Sequence, residues 1–158
     1  MAEEKISGVV ITFFSTASAV GKTLISINMA SELARQGCRV CLVDYDLQFG
    51  DVANYLKLPV EHSVYDALAE MKKNPEADIR QQVEQYRYGT ICFDVLPAPE
   101  FLDQSYNLST EACTELVEKL RLLYDYVIVD TTSMFSKLNL AMLDISTIVT
   151  FLGVVDFI

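Results

Sequence analysis

The chain predicts an α/β fold with a mainly parallel central sheet flanked by helices. Three observations carry this. The runs Gly8–Phe14, Arg39–Asp44 and Tyr126–Asp130 are short and almost uninterruptedly apolar, as strands buried on both faces are. Amphipathic spacing of helical period stands between them. The first run passes through a loop ending Gly21-Lys22-Thr23 straight into a helix, so residues 8–44 make one right-handed βαβ unit.

Composition narrows the class. With 158 residues, 51% of them hydrophobic, the chain can bury one sizeable core, which predicts a single domain over 1–158. A net charge of −10 argues against a surface that grips nucleic acid or anionic lipid, so no direct nucleic-acid partner is expected. No run approaches the roughly 18–20 apolar residues of a membrane span, and the acidic, polar N-terminus is unlike a signal peptide; a cytoplasmic protein is expected. Cys38-Arg39-Val40-Cys41 has the C-x-x-C form, but odd spacing in a strand sends the two side chains to opposite faces, so neither a metal nor a redox pair is expected. His62, the one histidine, precedes a helix cap without a nearby nucleophile and reads as a surface residue.

In the first helix Ile25, Met29 and Leu33 are expected to form the buried stripe, widened by Ile27, Ala30 and Ala34, with Gly37 as its C-cap. The loop before it, Ser15-Thr16-Ala17-Ser18-Ala19-Val20-Gly21, is the chemical centre of the chain. Amides at a helix N-terminus converge on an anion, the helix dipole favours it, and Lys22 adds a full positive charge for the outer phosphates. Thr23 offers a hydroxyl to a magnesium ion. The strict pattern G-x-x-x-x-G-K-[ST] is broken, because Thr16 stands where its first glycine belongs. The second strand ends in Asp44-Tyr45-Asp46, two carboxylates at the edge where open α/β sheets bind ligands, suited to order a water or a magnesium ion.

Asp51–Leu58 predicts a short helix closed by Pro59. Ser63 and Asp66 form a capping box before Val64, Leu68 and Met71, and Ile79, Val83 and Tyr86 suggest a further helix ending at Gly89. These middle helices carry no recognisable chemistry and read as scaffold or partner surface. Thr90–Leu96 predicts a third strand ended by Pro97-Ala98-Pro99, and Ser109–Leu123 a helix with Cys113, Leu116, Val117, Leu120 and Leu123 inward. The fourth strand ends at Asp130, a second carboxylate placed to hold magnesium through water. Leu138–Asp144 predicts a short helix and Thr147–Val155 a fifth strand.

The GKT loop, the strand ending Val43-Asp44-Tyr45-Asp46 and the strand ending Val129-Asp130 together resemble the MinD/ParA group of P-loop ATPases, which use a deviant Walker A loop. The run Asp44–Val52, the Leu96-Pro-Ala-Pro99 bend and Tyr124–Asp130 most resemble the CpaE/TadZ branch, associated with assembly and polar placement of Flp/Tad-type pili. The resemblance spans roughly residues 8 to 156 and implies a three-layer P-loop NTPase of the SIMIBI type. It implies ATP and Mg2+ as ligands. Ser18, Ala19, Val20, Gly21, Lys22, Thr23 and Leu24 would hold the nucleotide, Thr23, Asp44 and Asp130 the metal, and Lys22 and Asp46 would be catalytic, Asp46 positioning the attacking water. Implied partners are a second copy in a homodimer and pilus or secretion assembly proteins, at the cell pole or an inner-membrane complex.

Two departures qualify the resemblance. The family's loop reads Lys-Gly-Gly-x-Gly-Lys-Thr, and its signature lysine reaches the nucleotide of the partner subunit; this chain has Ala17 there, then Ser18 and Ala19 for the glycines. A missing cationic finger can cost about 10³–10⁵ in phosphoryl-transfer rate, so hydrolysis is expected to be slow or absent. Family members also continue beyond the fifth strand, so a C-terminally truncated chain or an unusually short member is expected. Three readings stay open at this point: a nucleotide-dependent assembly switch, a scaffold that keeps the fold without nucleotide, and a fold-related small-molecule kinase or ligase.

Overall fold

The computed structural model describes residues 7–155 and mixes strands and helices along the chain. The elements are β1 (Val9–Phe14), α1 (Lys22–Arg35), β2 (Val40–Asp44), α2 (Val52–Leu56), α3 (Val64–Lys73), β3 (Glu84–Tyr88), β4 (Ile91–Leu96), α4 (Leu102–Tyr106), α5 (Thr110–Leu120), β5 (Tyr126–Asp130), α6 (Lys137–Ile145) and β6 (Ile148–Phe151). Among the described residues the six strands form one sheet in the order β3-β4-β2-β5-β1-β6, with only β3 antiparallel to its neighbour. The polar N-terminal segment read above as unlike a signal peptide lies outside these residues. Among the described residues no helix is long and apolar enough to cross a membrane.

Alternation along the strands builds a core on each side of the sheet. From β2, Val40 and Leu42 pack with Ile27, Ala30 and Ala34 of α1, while Cys41 and Val43 pack with Val64, Leu68 and Met71 of α3 and with Leu116, Val117 and Leu120 of α5. Three layers result. The C-x-x-C pair is separated although only one member lies in a strand as expected: Cys41 of β2 belongs to the α3/α5 core, and Cys38, two residues before the strand begins, packs against the α1 core.

The Ser63/Asp66 capping box is present, with the Ser63 N–H donating to Asp66 Oδ2 at 2.9 Å. Gly37 closes α1, and Cys38 N–H reaches back to the Leu33 carbonyl at 3.1 Å. Three expectations are corrected. The buried face of α1 is Lys22, Ser26, Ile27, Ala30 and Ala34, whereas Ile25 and Met29 are exposed. Small side chains on that face let the helix lie close over the sheet, and the apolar residues on its other face misled the periodicity. The helix expected through Ile79, Val83 and Tyr86 is a single 3-10 turn at Ile79–Gln82 followed by edge strand β3, which pairs with β4 across a tight turn at Gly89. There the short apolar spacing fitted a strand as well as a helix. The short helix α4 was not foreseen, and β6 is shorter than the expected Thr147–Val155.

Candidate phosphate and cation site at the strand ends

Parallel pairing sets the site. Asp44 and Asp130 stand in register at the carboxyl ends of neighbouring strands β2 and β5, and the loop after β1 opens beside them. Gly21, at φ 87, turns the chain into α1, so Lys22 and Thr23 occupy the first turn. Ala19 also adopts a positive φ, 56, where an L side chain is disfavoured. Ser18 and Ala19 are exposed, Val20 is half-buried and Leu24 points outward from the first turn. Among the described residues no protein acceptor receives a hydrogen bond from the backbone N–H groups of Ser18 to Lys22. A run of unpaired amides at a helix start beside an ammonium group is the donor set an anion takes.

Lys22 is turned inward and almost buried. Its Nζ donates to Ser15 Oγ at 2.9 Å and to Ser133 Oγ at 2.7 Å. Both hydroxyls in turn donate to the Ala17 carbonyl, at 2.7 and 2.8 Å. Ser15 and Ser133 were not singled out in the sequence; only the closeness of Ser15 to the loop and of Ser133 to Asp130 hinted at them.

Thr23 Oγ1 donates to Asp130 Oδ2 at 2.6 Å, and Asp130 Oδ1 is buried without a hydrogen-bond partner. Burial pushes the Asp130 carboxyl up to about 6, opposed by the Thr23 hydrogen bond and the Lys22 charge and reinforced by Asp46. A buried carboxyl oxygen lacking a donor, next to a hydroxyl, fits a hard cation. Among the described residues no group of three or more His, Cys, Asp or Glu side chains is placed to hold a metal ion.

Asp44 is buried, and burial together with Asp130 pushes its carboxyl well above the usual range. Its Oδ1 accepts the Asp46 N–H at 3.1 Å and its Oδ2 the Val52 N–H at 3.2 Å. It thereby clamps the loop from Asp46 to Asp51. Asp46 is half-buried, and its Oδ1 accepts the Phe49 N–H at 3.1 Å. The clamp explains Gly50: a Cβ there would lie 2.5 Å from Asp44 Oδ2 and 2.3 Å from the Ala98 Cβ. The Pro97-Ala98-Pro99 bend is the wall against which this loop is folded, and with Gln48, Phe49 and Asn54 it lines a cavity of about 340 Å³.

A family model described as an AAA domain matches residues 8–152, and the septum site-determining protein MinD of Bacillus subtilis is 30% identical over 125 residues, 78% of this chain and 44% of that protein. The chain belongs to this family, the MinD/ParA type of P-loop ATPases. It spans about half the length of the curated relatives it matches. A ParA family ATPase from Chlorobium tepidum superposes with a TM-score of 0.81 at 22% identity, covering 92% of this chain and 60% of that one. MinD from Pyrococcus horikoshii, solved in complex with Mg-ADP, superposes with a TM-score of 0.78 at 18% identity over 92% of this chain and 57% of its own. These likenesses establish the three-layer P-loop fold. The loop from Ser15 to Gly21 holds no lysine or arginine, so the cation it leads into is Lys22.

Proposed function

We propose that this chain is an ATP- and magnesium-binding assembly or positioning protein of the MinD/ParA class, acting in Flp/Tad-type pilus or related secretion assembly and hydrolysing ATP slowly or not at all. The observation that carries the reading is the set of unpaired Ser18 to Lys22 amides at the start of α1, with a buried, unpartnered Asp130 oxygen beside Thr23. Ser18, Ala19, Val20, Gly21, Lys22, Thr23 and Leu24 hold the nucleotide's phosphates. Thr23, Asp44 and Asp130 would hold magnesium, and Asp44 also fixes the Asp46–Asp51 loop through the Asp46 and Val52 N–H groups. The ion, when bound, neutralises phosphate charge.

Asp46 orients water for whatever hydrolysis occurs, and Lys22 stabilises the charge that develops on the phosphoryl oxygens. Ala17 supports slow turnover, because no cation reaches out of the loop toward a partner subunit. A homodimer is the assembly in which a MinD/ParA site is complete, and recruitment to a cell pole or inner-membrane complex follows from the CpaE/TadZ resemblance. The Asp46–Asp51 loop, clamped by Asp44 on one side and carrying exposed Phe49, is the element whose shape a bound phosphate would bias.

A second reading has one observation in its favour. Lys22 already has two hydroxyl partners, as expected of a scaffold that has given up nucleotide. Titration calorimetry with MgATP, on the unaltered chain and on Lys22→Ala, separates the two. Binding abolished by the substitution supports the ATP-dependent role; no heat from either protein supports the scaffold. Phosphate release that needs an added metabolite would favour a small-molecule kinase or ligase.

A further inference from the structure

We infer that Ser15 and Ser133 form a clasp that holds the Lys22 ammonium away from phosphate, so that Ser133 sets how readily the loop accepts a phosphorylated ligand; this deepens the phosphate-binding reading of the same site and rests on it. Four atoms close a ring: Lys22 Nζ, Ser15 Oγ, the Ala17 carbonyl oxygen and Ser133 Oγ, joined by bonds of 2.9, 2.7, 2.8 and 2.7 Å. The proton accounting is complete. Each hydroxyl has one proton, which goes to the Ala17 carbonyl, and each accepts an N–H from Lys22. The 3.2 Å approach of Ser15 Oγ to Ser133 Oγ is then a contact across the ring with no proton left to bridge it.

The ring opposes phosphate in two ways. It occupies two of the three ammonium hydrogens, and it holds the Ala17 carbonyl oxygen, a negative dipole end, on the two hydroxyls that contact the ammonium. Ser15 is rigid, being fully buried at the end of β1, whereas Ser133 is half-buried on the connection between β5 and α6. The half of the clasp that can open is therefore Ser133.

A separate observation bears on that connection. Asn139 of α6 holds it from behind, its Nδ2 donating to Thr132 Oγ1 at 2.7 Å and to the Met134 carbonyl at 2.6 Å, while its own Oδ1 is buried without a donor. The closed arrangement thus carries an unsatisfied polar atom, a cost that movement of the connection can relieve. The same connection displays Met134 and Phe135, 64% and 67% exposed, with the Phe135 ring 5.1 Å from that of Phe14. Opening the clasp shifts these two apolar side chains, so occupancy of the loop is reported on the surface.

The sequence contains no tryptophan, so Phe135→Trp places a single tryptophan on the connection, excited selectively over the eight tyrosines at the red edge of its absorption. Binding of MgATP and of magnesium tripolyphosphate is measured by calorimetry in the unaltered chain, Ser133→Ala, Ser133→Val and Ser133→Thr. Ser133→Ala and Ser133→Val should bind both ligands about 10-fold tighter, and Ser133→Thr should behave as the unaltered chain. In the Phe135→Trp background, ligand should shift the emission, and Ser133→Ala should produce that shift without ligand. Unchanged or weaker binding in both hydroxyl-free variants overturns the clasp, as does an emission that ignores ligand. Binding by Ser133→Ala where the unaltered chain shows none supports it in its strongest form. Absence of binding in every variant overturns the phosphate-site reading itself and the clasp with it.

Discussion

Burial gives Asp130 an electrostatic cost that depends on pH. Its carboxyl is raised from 3.8 to about 6 because it is buried, so the folded chain holds that proton to higher pH than the unfolded chain does. For an acid shifted upward, the stabilising contribution is complete below about pH 4 and is lost as pH rises to about 6, beyond which ionised Asp130 burdens the fold at a constant level. The shift corresponds to at most about 3 kcal/mol. Asp130→Asn keeps an acceptor for the Thr23 hydroxyl and removes the charge. It should raise the melting temperature at pH 7.5 and leave it nearly unchanged at pH 4, which thermal melts at the two pH values will check. Under the proposed function magnesium at Asp130 competes with a proton, so MgATP affinity should fall as pH drops through 6. If Asp130→Asn melts lower at pH 7.5, the carboxylate is being stabilised by something other than the groups described.

Among the elements, the β2 to α2 connection is the one whose geometry is most tightly specified. Asp44 anchors both its ends, and Gly50 fits because nothing larger can stand between the Asp44 carboxyl and Ala98. Gly50→Ala should cost about 2–4 kcal/mol, measured by denaturant unfolding, since it either breaks the Val52 hydrogen bond or pushes the bend aside. Ala98→Gly should recover part of that loss by opening the wall. At α5, Leu116 is fully buried between the sheet and α3, and Leu116→Ala should cost a comparable 2–5 kcal/mol. By contrast the exposed Arg39 to Asp125 pair, at 2.7 Å, should matter by less than about 1 kcal/mol when Arg39 is replaced by Ala. That pair ties the start of β2 to the start of β5, where backbone bonds already do so.

For the whole molecule the proposed function turns on Ala17. If the chain pairs with a second copy as the proposed function requires, Ala17→Lys should restore a charge that reaches across the interface. Phosphate release should then rise by 10-fold or more, with a dependence on protein concentration steeper than first order, because the completed site needs two chains. An increase that is strictly proportional to protein would place the new lysine in its own site. No increase would remove the explanation of slow turnover by Ala17.

Much of the fold was legible in the sequence because buried parallel strands and capped helices leave local marks. The apolar runs ending in Asp44 and Asp130, the Ser63/Asp66 box and the Gly21-Lys22-Thr23 turn each owe their form to residues adjacent in the chain, and each stands where it was expected. Periodicity failed where two elements compete for the same pattern, as in the Ile79–Tyr88 stretch, and where the face toward the sheet includes polar residues, as with Lys22 and Ser26 on α1. What only tertiary structure decided are the meetings of residues far apart in the chain: Ser133 with Lys22, Ala98 with Gly50, Asn139 with the β5 to α6 connection. Local propensity fixes a strand or a turn, but a hydrogen bond across 111 residues depends on the order of strands in the sheet, and that order is set by packing on both of its faces.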